Sequence, residues 1–298
     1  MGRRLQLVRK LWSRCPLYEI YGGRLRPAVI ILTFNSAETI SSTLRSVRSL
    51  TDEIIIVDSG STDQTIQMAT ELGAFVVSHP FENYGAQRNW AIDNLEITKS
   101  WQLHLDADEN VSEDLVREIE AIPETTSMDG YLVARYLKFM GRVLRHNLAP
   151  TYHMRLFRSG KGRCEARMYD QHFICSGPVG ALKHSMVDDI RMPLTEWTRR
   201  HNQWADAEVK ELRMKRANAE IQGRWFGNKI QVKRKLRQCY ENLPLFVRPG
   251  VLFFYRYILT GGFLDGREGL IFCVLQTFWF RFLIDAKLYE AERQSAGK

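Results

Sequence analysis

Two short runs constrain this chain more than anything else in it: AVIILT at Ala28–Thr33 and EIIIVD at Glu53–Asp58. Both are too continuously β-branched for half-exposed strands, which alternate apolar and polar residues, so both read as parallel strands covered on each face. Parallel neighbours need a crossover, and the intervening segment supplies one, with Ile40, Leu44 and Val47 at helical spacing after a cap at Asn35 or Ser36. The rhythm continues with a helix from Thr62 to a stop at Gly73, a strand at Ala74–Ser78, a helix at Gln87–Leu95 and a strand at Trp101–Leu105. This is the βαβ pattern of an α/β fold, a mostly parallel central sheet flanked by helices.

The loops after the first, second and fourth strands, TFNSAE, DSGSTD and DADEN, therefore face one crevice at the carboxyl edge of the sheet, where ligands of open α/β folds bind. Asp106 and Asp108 offer two carboxylates there, with Glu109 beside them, and a hard cation such as Mg²⁺ or Mn²⁺ takes oxygen ligands of this kind. Asp58 stands at the lip of the same crevice. Its loop suits a nucleobase edge and ribose, although Ser61 or Thr62 as a plain N-cap explains part of it. An excess of 42 Lys and Arg over 34 Asp and Glu, net +8, favours phosphate-bearing partners without choosing among them.

Ser112–Ile122 reads as a capped amphipathic helix, and Gly130–Phe139 and Met154–Phe157 as strands. Beyond Pro193 the chain turns helical and charged, over Trp197–Asn218 and a basic stretch at Ile230–Cys239. Two aromatic-rich runs follow, Val251–Thr260 and Leu270–Ile284, each interrupted by an arginine and each shorter than the roughly 20 apolar residues of a spanning helix. They are either buried helices or aromatic faces resting in a lipid interface, with Arg248, Arg256, Arg267, Arg281 and Lys287 reaching toward headgroups. Residues 1–26 are basic, without the apolar core of a signal peptide, and form either a short amphipathic helix or a packed or frayed terminus. The expected organisation is thus 1–26, a catalytic domain at 27–192 with halves 27–110 and 111–192, and a helical extension at 193–298. Five cysteines without any C-x-x-C pair suggest neither disulfides nor zinc, and a reducing compartment is the simpler home.

In order and spacing, VIILTFNSAETI, EIIIVDSGSTDQT, NYGAQRNWA and WQLHLDADE resemble the opening half of a family 2 glycosyltransferase. FRSGKGR followed by a long tail is similar to the branch acting on lipopolysaccharide core and related envelope glycans. The resemblance implies a GT-A fold, an inverting transfer, a divalent metal and a nucleotide-sugar donor, usually a UDP-sugar. It implies that Thr33, Asn35 and Glu38 hold the nucleotide, that Asp58 with Ser59 meets the base, and that Arg88 approaches the diphosphate. Asp106 would contact ribose or metal, and Asp108 the metal. The family's general base aligns best with Asp170 in RCEARMYDQHF, with Glu165 as the alternative; Asp188 or His184 would complete the metal shell or bind the acceptor. The acceptor implied is lipid-linked or an envelope glycan, at an anionic membrane surface, with the protein peripheral on the inner face of the cytoplasmic membrane.

Two rival readings stay open. A sugar-nucleotide or nucleotidyl transferase also pairs acids with a metal, but normally carries a glycine-rich loop after the first strand, and TFNSAE has no glycine. A noncatalytic membrane- or nucleic-acid-binding protein on the same fold is the other, and no nucleic-acid signature is visible.

Overall fold

The computed structural model describes residues 24–146, 150–165, 172–217 and 240–296. Two compact units divide the chain, one made of residues up to Arg135 plus Tyr152–Val187, the other of Tyr136–Thr151 and Asp188 onward.

The first unit is built on a sheet whose order is β3-β2-β1-β4-β8-β6-β11-β5, from β1 (Ala28–Thr33), β2 (Ile54–Asp58), β3 (Phe75–Ser78), β4 (Trp101–Asp106), β5 (Glu109–Val111), β6 (Gly130–Phe139), β8 (Thr151–Arg158) and β11 (Val179–Ile190). The four strands β3-β2-β1-β4 are parallel, as the β-branched runs require, and β8 joins β4 antiparallel, so the whole is a mixed sheet. A separate antiparallel pair, β9 (Gly162–Cys164) and β10 (Phe173–Cys175), stands off it.

Alternation along β1 shows why the run had to be continuously apolar. Val29 and Ile31 enter the core shared with α1 (Ile40–Val47), α2 (Thr65–Glu71) and α4 (Glu113–Glu120), while Ala28, Ile30 and Leu32 face α3 (Tyr84–Asn94) and its Ala91 and Trp90. Both faces are dry, and truncating one such residue, Ile31→Ala, costs about 2–5 kcal/mol by the usual cavity relation. The amphipathic reading of α4 holds, its Ser112 Oγ accepting from Leu115 N at 3.2 Å.

Two expected caps are corrected. Asn35 and Ser36 do not cap α1 with their side chains; Thr39 is the N-cap, without a side-chain bond. Nor do Ser61 and Thr62 cap α2, which starts after Gln64. Both sets of polar groups are used instead to stitch the β1 and β2 loops together, as described below.

The second unit contains β7 (Arg142–Leu144), paired with the distal end of β6, and the long helix α5 (Leu194–Ala217). After α6 (Arg248–Phe254), a π-helical turn at Tyr255–Leu259 and a tight reversal follow. There Gly261 has φ of 79°, and a Cβ on Gly262 would lie 2.7 Å from the Arg256 carbonyl oxygen, so the reversal tolerates no side chain at Gly262. From Gly262 to Ser295 the chain is helical for 34 residues, taking in α7 (Gly266–Phe272), a π-helical stretch at Cys273–Trp279 and α8 (Phe280–Ala296). The expectation that no segment reaches spanning length is corrected here: by length and composition this helix is sufficient to cross a membrane, with 39% of its most apolar window buried. Arg281, read from sequence as an interruption of the apolar run, lies inside this helix and its guanidinium meets Glu208 of α5 at 2.8 Å. The predicted helices at the basic N-terminus and at Ile230–Cys239 lie outside the described residues.

Candidate active site

Strand register brings the loops together. Thr33 is level with Asp58 and Leu32 with Asp106, so β1, β2 and β4 end at one edge of the first unit. Helix α1 then fixes the β4–β5 turn: Thr43 Oγ1 donates to the Ala107 carbonyl at 2.8 Å and Ser42 Oγ to Asn110 Oδ1 at 2.6 Å.

At the end of β2, Asp58 is fully buried, beneath its loop and not at the lip expected from sequence. Oδ1 accepts from Thr33 Oγ1 at 2.8 Å and Ser61 Oγ at 2.5 Å, and Oδ2 from the Gly60 and Ser61 backbone N–H groups at 2.9 and 2.8 Å. A carboxylate has about four lone-pair directions, so Asp58 is saturated by its own loop. Asn35 ties the β1 loop to it. Its Oδ1 accepts from Thr62 N at 2.8 Å and its N–H donates to Ser61 Oγ at 2.8 Å, with the backbone in the left-handed region at φ 47°, which asparagine tolerates best among side-chain-bearing residues. Glu38 is exposed beyond this stitched pair of loops.

Ser59 is held by a residue that sequence reasoning passed over. Gln87, buried in α3, donates from Nε2 to Ser59 Oγ at 3.1 Å and to the His79 carbonyl at 3.1 Å, while its Oε1 lies 2.7 Å from His79 Nδ1. The next residue, Arg88, reaches the end of β4.

There the arrangement is of charge. Asp106 accepts from Arg88 Nη2 at 2.7 Å on one oxygen and from Arg155 Nη2 at 2.9 Å on the other. Arg155 also donates to Glu109 Oε1 at 2.5 Å, Arg135 comes within 3.5 Å of the same atom, and Glu109 Oε2 accepts the Asp106 N–H at 3.0 Å. Burial alone would raise the Asp106 carboxyl, but the Arg88 and Arg155 guanidiniums override it and hold the group well below the usual carboxylate range. Burial disfavours the Arg155 cation as well, and Glu109 and Asp106 more than reverse that, raising its pKa. His104 beneath them is driven well down by burial and by the same two arginines, and remains neutral. Arg155 sits within the predicted strand Met154–Phe157, and an arginine inside a buried apolar run was the one available signal for it; its partners lie 46 and 49 residues away.

The resemblance implies a divalent cation, and the donor chemistry at this edge fits one. Among the described residues no group of three or more His, Cys, Asp or Glu side chains is gathered as a protein cage. Mg²⁺ seldom asks for one, being held by one or two carboxylates together with substrate phosphates and water. Asp108 is half-buried at the turn, and each Asp106 oxygen, having accepted one guanidinium bond, retains a second lone pair.

At the β9–β10 pair, Glu165 and His172 face each other across the strand ends, with the Glu165 N–H donating to the His172 carbonyl at 2.9 Å. His172 stacks on His153 with ring centroids 5.8 Å apart and 4° between planes. Burial, then Arg135 and Arg155, lower the His153 pKa to about 3. Asp170 lies outside the described residues. His184 and Asp188 lie on β11, where the His184 N–H donates to Glu118 Oε2 at 2.9 Å.

An uncharacterized glycosyltransferase of Rickettsia conorii is 40% identical over 105 residues, 35% of this chain and 36% of that protein, so the chain spans little more than a third of that relative's length. The lipopolysaccharide core biosynthesis glycosyltransferase LpsC of Rhizobium meliloti is 25% identical over 248 residues, 80% of this chain and 83% of LpsC. Glucosyl-3-phosphoglycerate synthase of Mycobacterium tuberculosis, solved with Mn²⁺, UDP and glucosyl-3-phosphoglycerate, overlaps 39% of this chain and 45% of that one at 25% identity; a TM-score of 0.32 gives that likeness no weight for the site. The residue pattern of Glycosyl transferase family 2 matches residues 28–191, more than half of the chain and every strand end described above, and the chain belongs to that family.

Proposed function

We propose that this chain transfers a glycosyl group, with inversion, from a nucleotide-sugar donor, a UDP-sugar, to a lipid-linked or envelope-glycan acceptor. The observation that carries the reading is Asp106 at the end of β4, clamped between Arg88 and Arg155 and followed by Asp108, on the edge where the β1 and β2 loops also end. Family membership supports glycosyl transfer, and the similarity to LpsC supports an envelope-glycan acceptor.

In this reading the β1 and β2 loops bind the nucleoside. Thr33 and Asp58 set the backbone of the Ser59–Ser61 turn, Asn35 and Glu38 close the other side, and Ser59, held by Gln87, faces the base or ribose. Arg88 and Arg155 fix Asp106 as an anion oriented toward the ribose. Asp108, with the remaining lone pair of Asp106, would hold Mg²⁺ or Mn²⁺, which when bound offsets the charge of the departing diphosphate. The acceptor hydroxyl oxygen forms the new bond to the anomeric carbon as the carbon–oxygen bond to the diphosphate breaks. The hydroxyl proton passes to Asp170, the base that the sequence pattern favours, and the nucleoside diphosphate leaves with the electron pair. The protein works at the cytoplasmic face of the membrane, bound peripherally to an anionic surface.

The test is a panel of nucleotide sugars with Mn²⁺, scoring donor hydrolysis and protection from thermal unfolding. A response to UDP-sugars that Asp108→Ala abolishes is expected. A response confined to nucleoside triphosphates with sugar phosphates would transfer the site to a nucleotidyl transferase.

A further inference from the structure

Between Phe246 and Tyr289 the second unit exposes large apolar side chains in a regular pattern. On the helix that begins with α6, Val251, Phe254, Tyr255, Ile258 and Leu259 are all exposed, at the i, i+3, i+4, i+7, i+8 spacing of one helix face. On the long helix, Ile271, Val274, Phe278 and Phe282 repeat the pattern. Ring contacts join the two: Phe253 meets Phe278 at 6.4 Å, Phe278 meets Phe282 at 5.9 Å, and Phe282 meets Phe246 at 5.2 Å. One contiguous aromatic surface results, where an ordinary soluble domain scatters its exposed apolar residues singly.

The opposite side of the long helix is committed to α5. Phe280, Ile284 and Leu288 pack on Ala205 and Val209, and Arg281 and Lys287 pair with Glu208 and Asp206 at 2.8 and 2.5 Å. Asp285, also buried, pairs with Arg248 and accepts the Phe246 N–H at 2.8 Å. A membrane-spanning orientation would draw these pairs and the polar α5 into hydrocarbon, at a cost that an in-plane orientation avoids.

Charge selects the occupant. Of the three acids between Phe246 and Tyr289, Asp265 and Asp285 are buried and Glu268 faces Arg142, whereas Arg267 is exposed and Arg256 lies over the Tyr255 ring at 6.0 Å. Two copies of such a face would set cations against cations. Anionic headgroups supply the opposite charge, with the aromatic rings at the depth where amphipathic side chains collect.

We infer that the helices of residues 246–289 lie flat in the interface of an anionic bilayer, inserting the Phe254–Leu259 and Phe278–Phe282 stripes while the α5 side stays in water. This deepens the membrane partner proposed above and is independent of the donor chemistry, which the nucleotide-sugar thermal shift scores separately.

The experiment is sedimentation of the full chain with phosphatidylcholine vesicles, with and without about 30 mol % phosphatidylglycerol. Binding is expected only with the anionic lipid, weaker at high salt, and released by alkaline carbonate. Phe254→Ser with Leu259→Ser, at two surface positions, should reduce partitioning about tenfold or more. Their unfolding midpoint should be unchanged, and Arg267→Ala, at an exposed position, should weaken binding less and flatten its salt dependence. Carbonate-resistant association would overturn the in-plane orientation. Undiminished binding by the double variant would overturn the assigned face, as would a concentration-dependent dimer without vesicles that the same variant abolishes.

Discussion

The loops at the ends of β2 and β4 each place an acid on the same edge of the sheet, and they hold it by different means. Asp58 is satisfied locally, by two backbone N–H groups and two hydroxyls, three of these four donors lying within three residues of it. Asp106 is satisfied remotely, by guanidiniums from α3 and β8, one 18 and the other 49 residues away. Bonds from neutral donors around it hold Asp58 in the shape of its loop without any cation. A buried guanidinium cluster fixes an anion and transmits any loss to its neighbours, since an uncompensated buried charge is costly. In the proposed reading, Asp58 belongs to loop architecture and Asp106 to the donor site.

Arg155→Met should break this contrast most visibly. It leaves one oxygen of Asp106 without its cation and buried Glu109 with only the longer Arg135 contact, and a loss of about 3–5 kcal/mol in urea unfolding is expected, together with loss of donor-dependent thermal protection. Asp58→Asn retains the shape but reduces the acceptor capacity, and a smaller cost of about 1.5–3 kcal/mol is expected. Equal costs for the two variants would erase the distinction between remote and local satisfaction.

Asn35 offers a finer probe of the β2 side. Both Asn35→Ala and Asn35→Gly lose the bond to Thr62, but only alanine also strains at φ 47°, so the glycine variant should be more stable by about 1 kcal/mol in the same assay.

A pH titration sharpens the β4 side. His153 has its folded pKa lowered from the ordinary 6.5 to about 3, so protonation favours the unfolded chain. Its contribution to stability is complete above pH about 6.5 and is lost as the pH falls from there toward about 3. His153→Gln should therefore flatten the fall of stability with acid across that window, by at most about 1.4 kcal/mol per pH unit. An unchanged slope would mean that neither burial nor the arginines beside it hold the His153 imidazole neutral.

The same distinction explains what was readable in the sequence. β1 and β2 follow from local runs of β-branched residues, β4 from a short apolar stretch ending in acids, and the crossover from the spacing of Ile40, Leu44 and Val47, all properties of neighbouring positions. Asp106 and Asp108 were readable as acids after a buried strand. Arg155 and Gln87 were not given roles, because what they do depends on partners that only the sheet register and the β4–β8 pairing bring near. The capping roles expected for Asn35, Ser61 and Thr62 failed for a related reason: the same hydroxyls and amides that cap helices bond equally well across two loops, and tertiary proximity decided between the uses. The apolar run Leu270–Ile284 was read as interrupted at Arg281, whose partner Glu208 lies 73 residues earlier. The proposed base, Asp170, falls outside the described residues and rests on the sequence pattern.

The most direct measurement of the central claim is the shift in thermal unfolding midpoint with Mn²⁺ and UDP-sugars, for the natural chain and for Asp108→Asn. The account predicts a rise that requires metal and nucleotide together and disappears in the variant. A rise of equal size in Asp108→Asn, or one produced by nucleotide without metal, would contradict it.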